Sequence, residues 1–169
     1  VGLKILETKD GEYLVAGCNA QYTKPNSGDV TGNNGSSDAW VLKLRANGTI
    51  VWNKSYGGSK RDTVRGIALA PDGTIVLAGT TESNDSDVSN LHGTAPDVWV
   101  MQLGSDGTML WNKTYGGTGI DIGRAVALTA DSGVVVVGAT ASTDGDMAGN
   151  TLKGGYDTWV MKLGNVVSV

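Results

Sequence analysis

Asp97-Val98-Trp99-Val100-Met101-Gln102-Leu103, followed after a short turn by Gly107-Thr108-Met109-Leu110-Trp111-Asn112-Lys113-Thr114-Tyr115-Gly116-Gly117, decides how the whole chain is read. Strand side chains alternate between two faces, so Trp99, Met101 and Leu103 share one side of the first segment. Met109, Trp111, Lys113 and Tyr115 likewise share one side of the second. Asp106-Gly107 between them is hairpin-turn chemistry, an Asp that bonds its own backbone next to a residue tolerant of positive φ. The two segments read as neighbouring antiparallel strands.

The same text recurs along the chain. Trp40, Trp52 and Tyr56 lie 59 residues before Trp99, Trp111 and Tyr115, and Trp159 lies 60 residues after Trp99. Thr-Ile-Val-Trp-Asn-Lys-Ser-Tyr-Gly-Gly at 49–58 returns as Thr-Met-Leu-Trp-Asn-Lys-Thr-Tyr-Gly-Gly at 108–117. Self-similarity at such a period marks a stacked architecture in which each unit hides its faces against neighbours. The repeats run over about 1–58, 59–117 and 118–169 within one repeat domain. The third stops at Asn165–Val169 before its Trp-Asn-Lys strand and the first lacks a preceding one, so three repeats are not expected to close a ring alone, and either further blades in a parent chain or self-association is expected.

Upstream of the Trp strand each repeat carries an apolar hairpin. Val64–Ala70 and Thr74–Gly79 flank Pro71-Asp72-Gly73, with Asp10-Gly11 and Asp131-Ser132-Gly133 as the equivalent turns. A unit is thus a four-stranded meander. Its second strand, 74–79 or 133–138, is apolar on both faces and must be covered on both sides. That requirement predicts four-stranded sheets packed face to face, an all-β, β-propeller-like array of three antiparallel blades forming a partial or self-associating ring. A sandwich needs no such period and a solenoid coil is usually shorter. The repeated Trp40, Trp52, Trp99, Trp111 and Trp159 are expected in the packing between blades.

The pattern Asp-x-Trp-Val-[Leu/Met]-[Lys/Gln]-Leu, then Gly-Thr-x-x-Trp-Asn-Lys-[Ser/Thr]-Tyr-Gly-Gly, resembles the propeller-like tandem repeat family of bacterial and archaeal secreted and cell-surface proteins. The resemblance covers nearly the whole chain. It implies an exported, extracellular or cell-surface context, often adhesive or scaffolding, without one shared activity.

Composition agrees with turns over helices. Gly is 26 of 169 residues while Pro is 3, and the 17 acidic residues comprise 14 Asp and 3 Glu. Asp favours turns and hard cations, Glu favours helices. A formal net charge of −4 offers no general attraction for nucleic acid, and no apolar run has the length of a transmembrane helix. The single Cys18 sits in an apolar run and is expected to be a small buried hydrophobe.

Candidate sites lie in the loop after the second strand. Asp144, Asp146 and Asn150 in repeat three, Asp85 and Asp87 in repeat two and Asp29 in repeat one space hard oxygens as a Ca²⁺ loop would. The same residues also suit Asx turns without metal, and the distal Glu of an EF-hand is missing. Asp38, Asp97 and Asp157 precede the Trp strands and are expected to bond loop backbone. Asn34, Asn47, Asn53, Asn84 and Asn112 stand in Asn-x-Ser/Thr sequons, candidate glycosylation sites in an exported protein.

No catalytic residue is singled out. His92 is the one histidine and is read as a solvated loop residue, without metal-ligand spacing or a nucleophile elbow nearby. Tyr56-Gly57-Gly58 and Tyr115-Gly116-Gly117 lead into strand rather than helix, so they read as connectors between blades and not as phosphate loops. The expectation is a non-enzymatic scaffold or adhesion module. A lectin-like carbohydrate-binding module is the alternative, and a quinoprotein-type enzyme fragment a further one. Expected partners are further blades of a parent chain or a second copy, with a glycan or a cell-surface protein as ligand.

Overall fold

The computed structural model describes residues 2–20, 32 and 34–164. These form eleven strands and one 3-10 turn at Gly145–Met147. Strands β1 (Gly2–Glu7), β2 (Tyr13–Ala20), β3 (Ser37–Leu44) and β4 (Ile50–Tyr56) make the first sheet. Strands β5 (Asp62–Leu69), β6 (Ile75–Thr81), β7 (Asp97–Leu103) and β8 (Met109–Tyr115) make the second. Strands β9 (Asp121–Leu128), β10 (Val134–Thr140) and β11 (Asp157–Leu163) make the third. Each is an antiparallel meander in chain order. Two sheets meet the expectation of four strands. The third has three among the described residues, because the Trp-Asn-Lys segment that forms β4 and β8 does not recur after Leu163.

The sheets stack face to face in sequence. Strand β5 lies on β1, β2 and β3, and β9 lies on β5, β6 and β7. Leu14, Ala16, Ala39 and Val41 of the first sheet meet Ile67, Leu77, Trp99 and Met101 of the second. On its other face the second sheet sets Val76, Ala78, Val98 and Val100 against Val134 and Val136 of the third. Every residue of β7 is buried in consequence, and β6 is nearly so. The two-faced apolar strand of the second sheet thus finds two covers, as its sequence demands, while β10 of the third is covered on one face only, by the second sheet.

Glycine sets how closely the second and third sheets approach. A Cβ on Gly123 of β9 would stand 2.3 Å from the Gly79 carbonyl oxygen of β6, and one on Gly66 of β5 would stand 2.8 Å from the Ala125 Cα. Any side chain there would force the backbones apart. The pairing register also slips once in each first strand, between Gly2 and Lys4, between Val64 and Gly66, and opposite Val137/Gly138 in β9. Such bulges bend the strand that bears on the preceding sheet.

Candidate functional site

The repeated acids converge on the connectors between sheets. The connector from β4 to β5 turns at Gly57-Gly58, and successive amides meet one oxygen each from the chain that follows. Gly57 N–H donates to Asp87 Oδ2 (3.1 Å), Gly58 N–H to Asp62 Oδ2 (2.8 Å), Ser59 N–H to Asp85 Oδ1 (2.8 Å) and Lys60 N–H to Ser83 Oγ (3.0 Å). The connector from β8 to β9 repeats this scheme. Gly116, Gly117, Thr118 and Gly119 donate to Asp146 Oδ2 (3.1 Å), Asp121 Oδ2 (2.9 Å), Asp144 Oδ1 (2.7 Å) and Ser142 Oγ (2.9 Å). The loop after the second strand is thereby clamped onto the connector that precedes its own sheet. Val88 and Met147, equivalent by the repeat, peg each loop into the interior.

Beneath each connector lies a pair of buried carboxylates. Asp38, Asp62, Asp97 and Asp121 are fully buried. A Cβ on Gly57 would stand 2.6 Å from Asp62 Oδ2 and 2.9 Å from Asp38 Oδ1, and one on Gly116 would stand 2.5 Å from Asp97 Oδ1 and 2.6 Å from Asp121 Oδ2. Only a glycine leaves both oxygens room at that point.

Each pair holds at least one unpartnered oxygen. Asp62 also accepts from Thr81 Oγ1 (2.5 Å) and Ser83 Oγ (2.8 Å). Asp38 Oδ1, Asp97 Oδ1 and Asp121 Oδ1 are buried without a hydrogen-bond partner. Burial pushes the Asp38 carboxyl up to about 6, with Asp62 and Asp87 adding repulsion against the Asn34 amide, which favours its charge. Burial raises Asp97 too, opposed by His92. Exposed Asp85 and half-buried Asp144 shift the other way, lowered by the Ser59 and Thr118 donors.

The acids before the Trp strands bond loop backbone as expected. Asp38 Oδ2 accepts from Asn34 N–H (2.5 Å), Asp97 Oδ2 from His92 N–H (2.8 Å) and Asp157 Oδ2 from Lys153 N–H (3.0 Å). His92 is a different matter. Its Nδ1 stands 2.8 Å from Asp97 Oδ2 and its Nε2 3.7 Å from Asp146 Oδ2. The ring therefore joins a buried acid to the loop clamp, where its sequence neighbours suggested only a solvated residue. Its second nitrogen faces a carboxylate rather than a hydroxyl nucleophile. Asp62, Asp121, Ser83 and Ser142 escaped the sequence reading; their recurrence at 59 residues was the signal that could have found them.

Of the calcium-loop candidates, Asp85, Asp87, Asp144 and Asp146 are those connector clamps, and the Asn150 backbone N–H donates to the Met147 carbonyl (3.0 Å). Asp29 lies outside the described residues. Among the described residues no group of three or more His, Cys, Asp or Glu side chains is arranged as a metal site. With one oxygen of each of these four acids already bonded to a connector amide, the loops should hold without metal: a chelator should leave the melting temperature unchanged. A fall of several degrees that disappears in Asp146→Ala would place Ca²⁺ in the loop instead.

The sequons and tryptophans divide by burial. Asn34, Asn47 and Asn84 are exposed in turns and loops, whereas Asn53 and Asn112 are half-buried in β4 and β8. Asn112 Oδ1 accepts from the Trp99 indole N–H at 3.0 Å. Trp99 is fully buried, Trp52 packs against the first core, and Trp111 and Trp159 against the second. Trp40 is half-buried and points from β3 away from the second sheet, opposite Ala39 and Val41. Cys18 is half-buried in β2. No helix among the described residues is long and apolar enough to cross a membrane. No protein-family model matches this chain, and no curated protein matches it either.

Proposed function

We propose that the chain is a non-enzymatic repeat module of an extracellular or cell-surface protein, β-propeller-like in its stacking, that serves as a structural scaffold or adhesion domain. One observation carries this reading: the acids that recur in the second-strand loop and at the head of the first strand are directed at the chain's own connectors. Asp87 and Asp146, Asp62 and Asp121, and Asp85 and Asp144 all accept hydrogen bonds from connector amides. A binding or catalytic site would keep such groups turned toward a ligand. The resemblance to secreted repeat proteins points the same way.

The lectin-like alternative needs an aromatic platform in an open groove. The groove between the hairpin turns of the first and second sheets, about 420 Å³, is lined by Lys9, Asp10, Leu14, Lys43 and Pro71 among others and by no aromatic ring, whereas a second groove of about 440 Å³ is lined by Trp111 and Tyr115 with Lys113 and Lys162, rings that also pack against the second core. A glycan array is the direct test. The scaffold reading expects no glycan held above background; a glycan retained by the protein and lost in Lys9→Ala, at unchanged melting temperature, would establish carbohydrate recognition in its place.

A further inference from the structure

The two outermost faces of the stack carry the same residues that are buried inside it. Val41, Val100 and Val160 occupy one position of the Trp strand in successive repeats, paired respectively with Ala16, Ala78 and Val137. Val41 and Val100 are wholly buried under the next sheet, and Val160 is 62% exposed. At the opposite end, Ile5 and Ile67 hold one position of the first strand, paired with Val15 and Leu77. Ile67, pressed on the preceding sheet, is 8% exposed; Ile5 is 63% exposed. These are the two halves of the junction that the chain already makes twice.

We propose that copies of this chain associate head to tail, the outer face of the third sheet of one copy receiving the outer face of the first sheet of another. The internal junctions show what such a face accepts: a first strand whose Ile or Val inserts over the apolar second strand. A charge pair supports a second copy as the occupant. Between the first two sheets, Leu69 and Lys43 line one groove. The position of Leu69 is held in the first repeat by exposed Glu7, and that of Lys43 in the third by exposed Lys162. Docked as the internal sheets are, Glu7 of a second copy meets Lys162, whose ammonium now contacts Asp131. An apolar centre with one opposite-charge pair sets register as well as attraction. The interface is heterologous, so it closes into a ring or grows according to the rotation at each step.

This proposal rests on the repeat geometry rather than on the absence of a ligand, so a positive glycan array would overturn the scaffold reading and leave it standing. The test uses two variants, Val160→Asp and Ile5→Asp, at exposed positions where the fold of one copy tolerates charge. Circular dichroism and melting temperature check that each stays folded. In sedimentation velocity the unaltered protein should run as multiples of 17.4 kDa and each variant alone as a 17.4 kDa monomer. Mixed, the two variants should recover a one-to-one pair, because Val160→Asp keeps the first-sheet face and Ile5→Asp keeps the third-sheet face. An unaltered protein that stays monomeric at all concentrations overturns the proposal. So does self-association of Ile5→Asp alone, which would mean that like faces pair.

Discussion

Trp99→Ala is expected to destabilise the protein by about 3–5 kcal/mol, the range for removing a large buried aromatic. Trp99 has no exposed surface, packs with Ile67, Leu77 and Met101 between the first two sheets, and donates its indole N–H to Asn112 across the β7–β8 pair. Truncation leaves a cavity at the junction and an acceptor without its donor. For a domain of this size the melting temperature should fall by on the order of 10 °C. The same change at half-buried Trp40, on the outward face of β3, should cost clearly less. An unaltered melting temperature in Trp99→Ala would remove this residue from the packing between sheets.

Asp38→Asn should move stability in the opposite direction. The buried carboxyl is pushed from an unfolded value of 3.8 up to about 6, so between those values the folded state holds a proton that the unfolded chain has released. Stability therefore falls as pH rises through that window and stays reduced above it, by up to about 3 kcal/mol at neutral pH. The substituted carboxamide would keep the acceptor for the Asn34 amide and present an N–H₂ group where Asp38 Oδ1 lies unpartnered, beside Asp62 Oδ2. The difference in stability between variant and parent, measured by urea unfolding from pH 4 to 7.5, should grow in favour of the variant from about pH 4 to 6 and then level off. Taking the difference cancels the other carboxyls, among them Asp144, whose shift has the opposite sign. A variant less stable than its parent at neutral pH would show that the Asp38 charge has a partner, such as a bound cation.

Much of the fold was legible because its signals are local. Trp99, Met101 and Leu103 alternate with period two, and β7 spans Asp97–Leu103 as the segment reads. Asp72-Gly73 and Asp106-Gly107 close hairpins because Gly73 and Gly107 adopt positive φ, 88° and 77°. First strands were placed less well, with β5 starting at Asp62 rather than Val64, since a bulge breaks the alternation there. The role of Asp38, Asp97 and Asp157 was also readable, for each acid bonds an amide four or five residues back.

The site behaved otherwise. Asp144 and Asp146 can be read equally as a cation loop or as turn residues, because their spacing states only that several oxygens lie close together. What they bond, the amides of Gly116 and Thr118, lies 26 to 30 residues earlier in the chain. That meeting depends on how one sheet is stacked on the next, and no local pattern encodes it. His92 illustrates the same point: Asp97 is a near neighbour in sequence, but Asp146, 3.7 Å from its Nε2, belongs to the loop of the next sheet and reaches the ring only through stacking.

By itself the sequence determined the repeat of about sixty residues, the meander of strands within it and the need for cover on both faces, because side-chain alternation and turn chemistry act over a few residues. Tertiary structure alone decided which carboxylates are buried in pairs under Gly57 and Gly116 and which acids clamp the connectors. It also decided that Val160 and Ile5 lie open where Val100 and Ile67 are covered. The physical reason is that burial and partner choice belong to the junction between sheets: the same residue at the same position is buried or exposed according to whether another sheet lies against it.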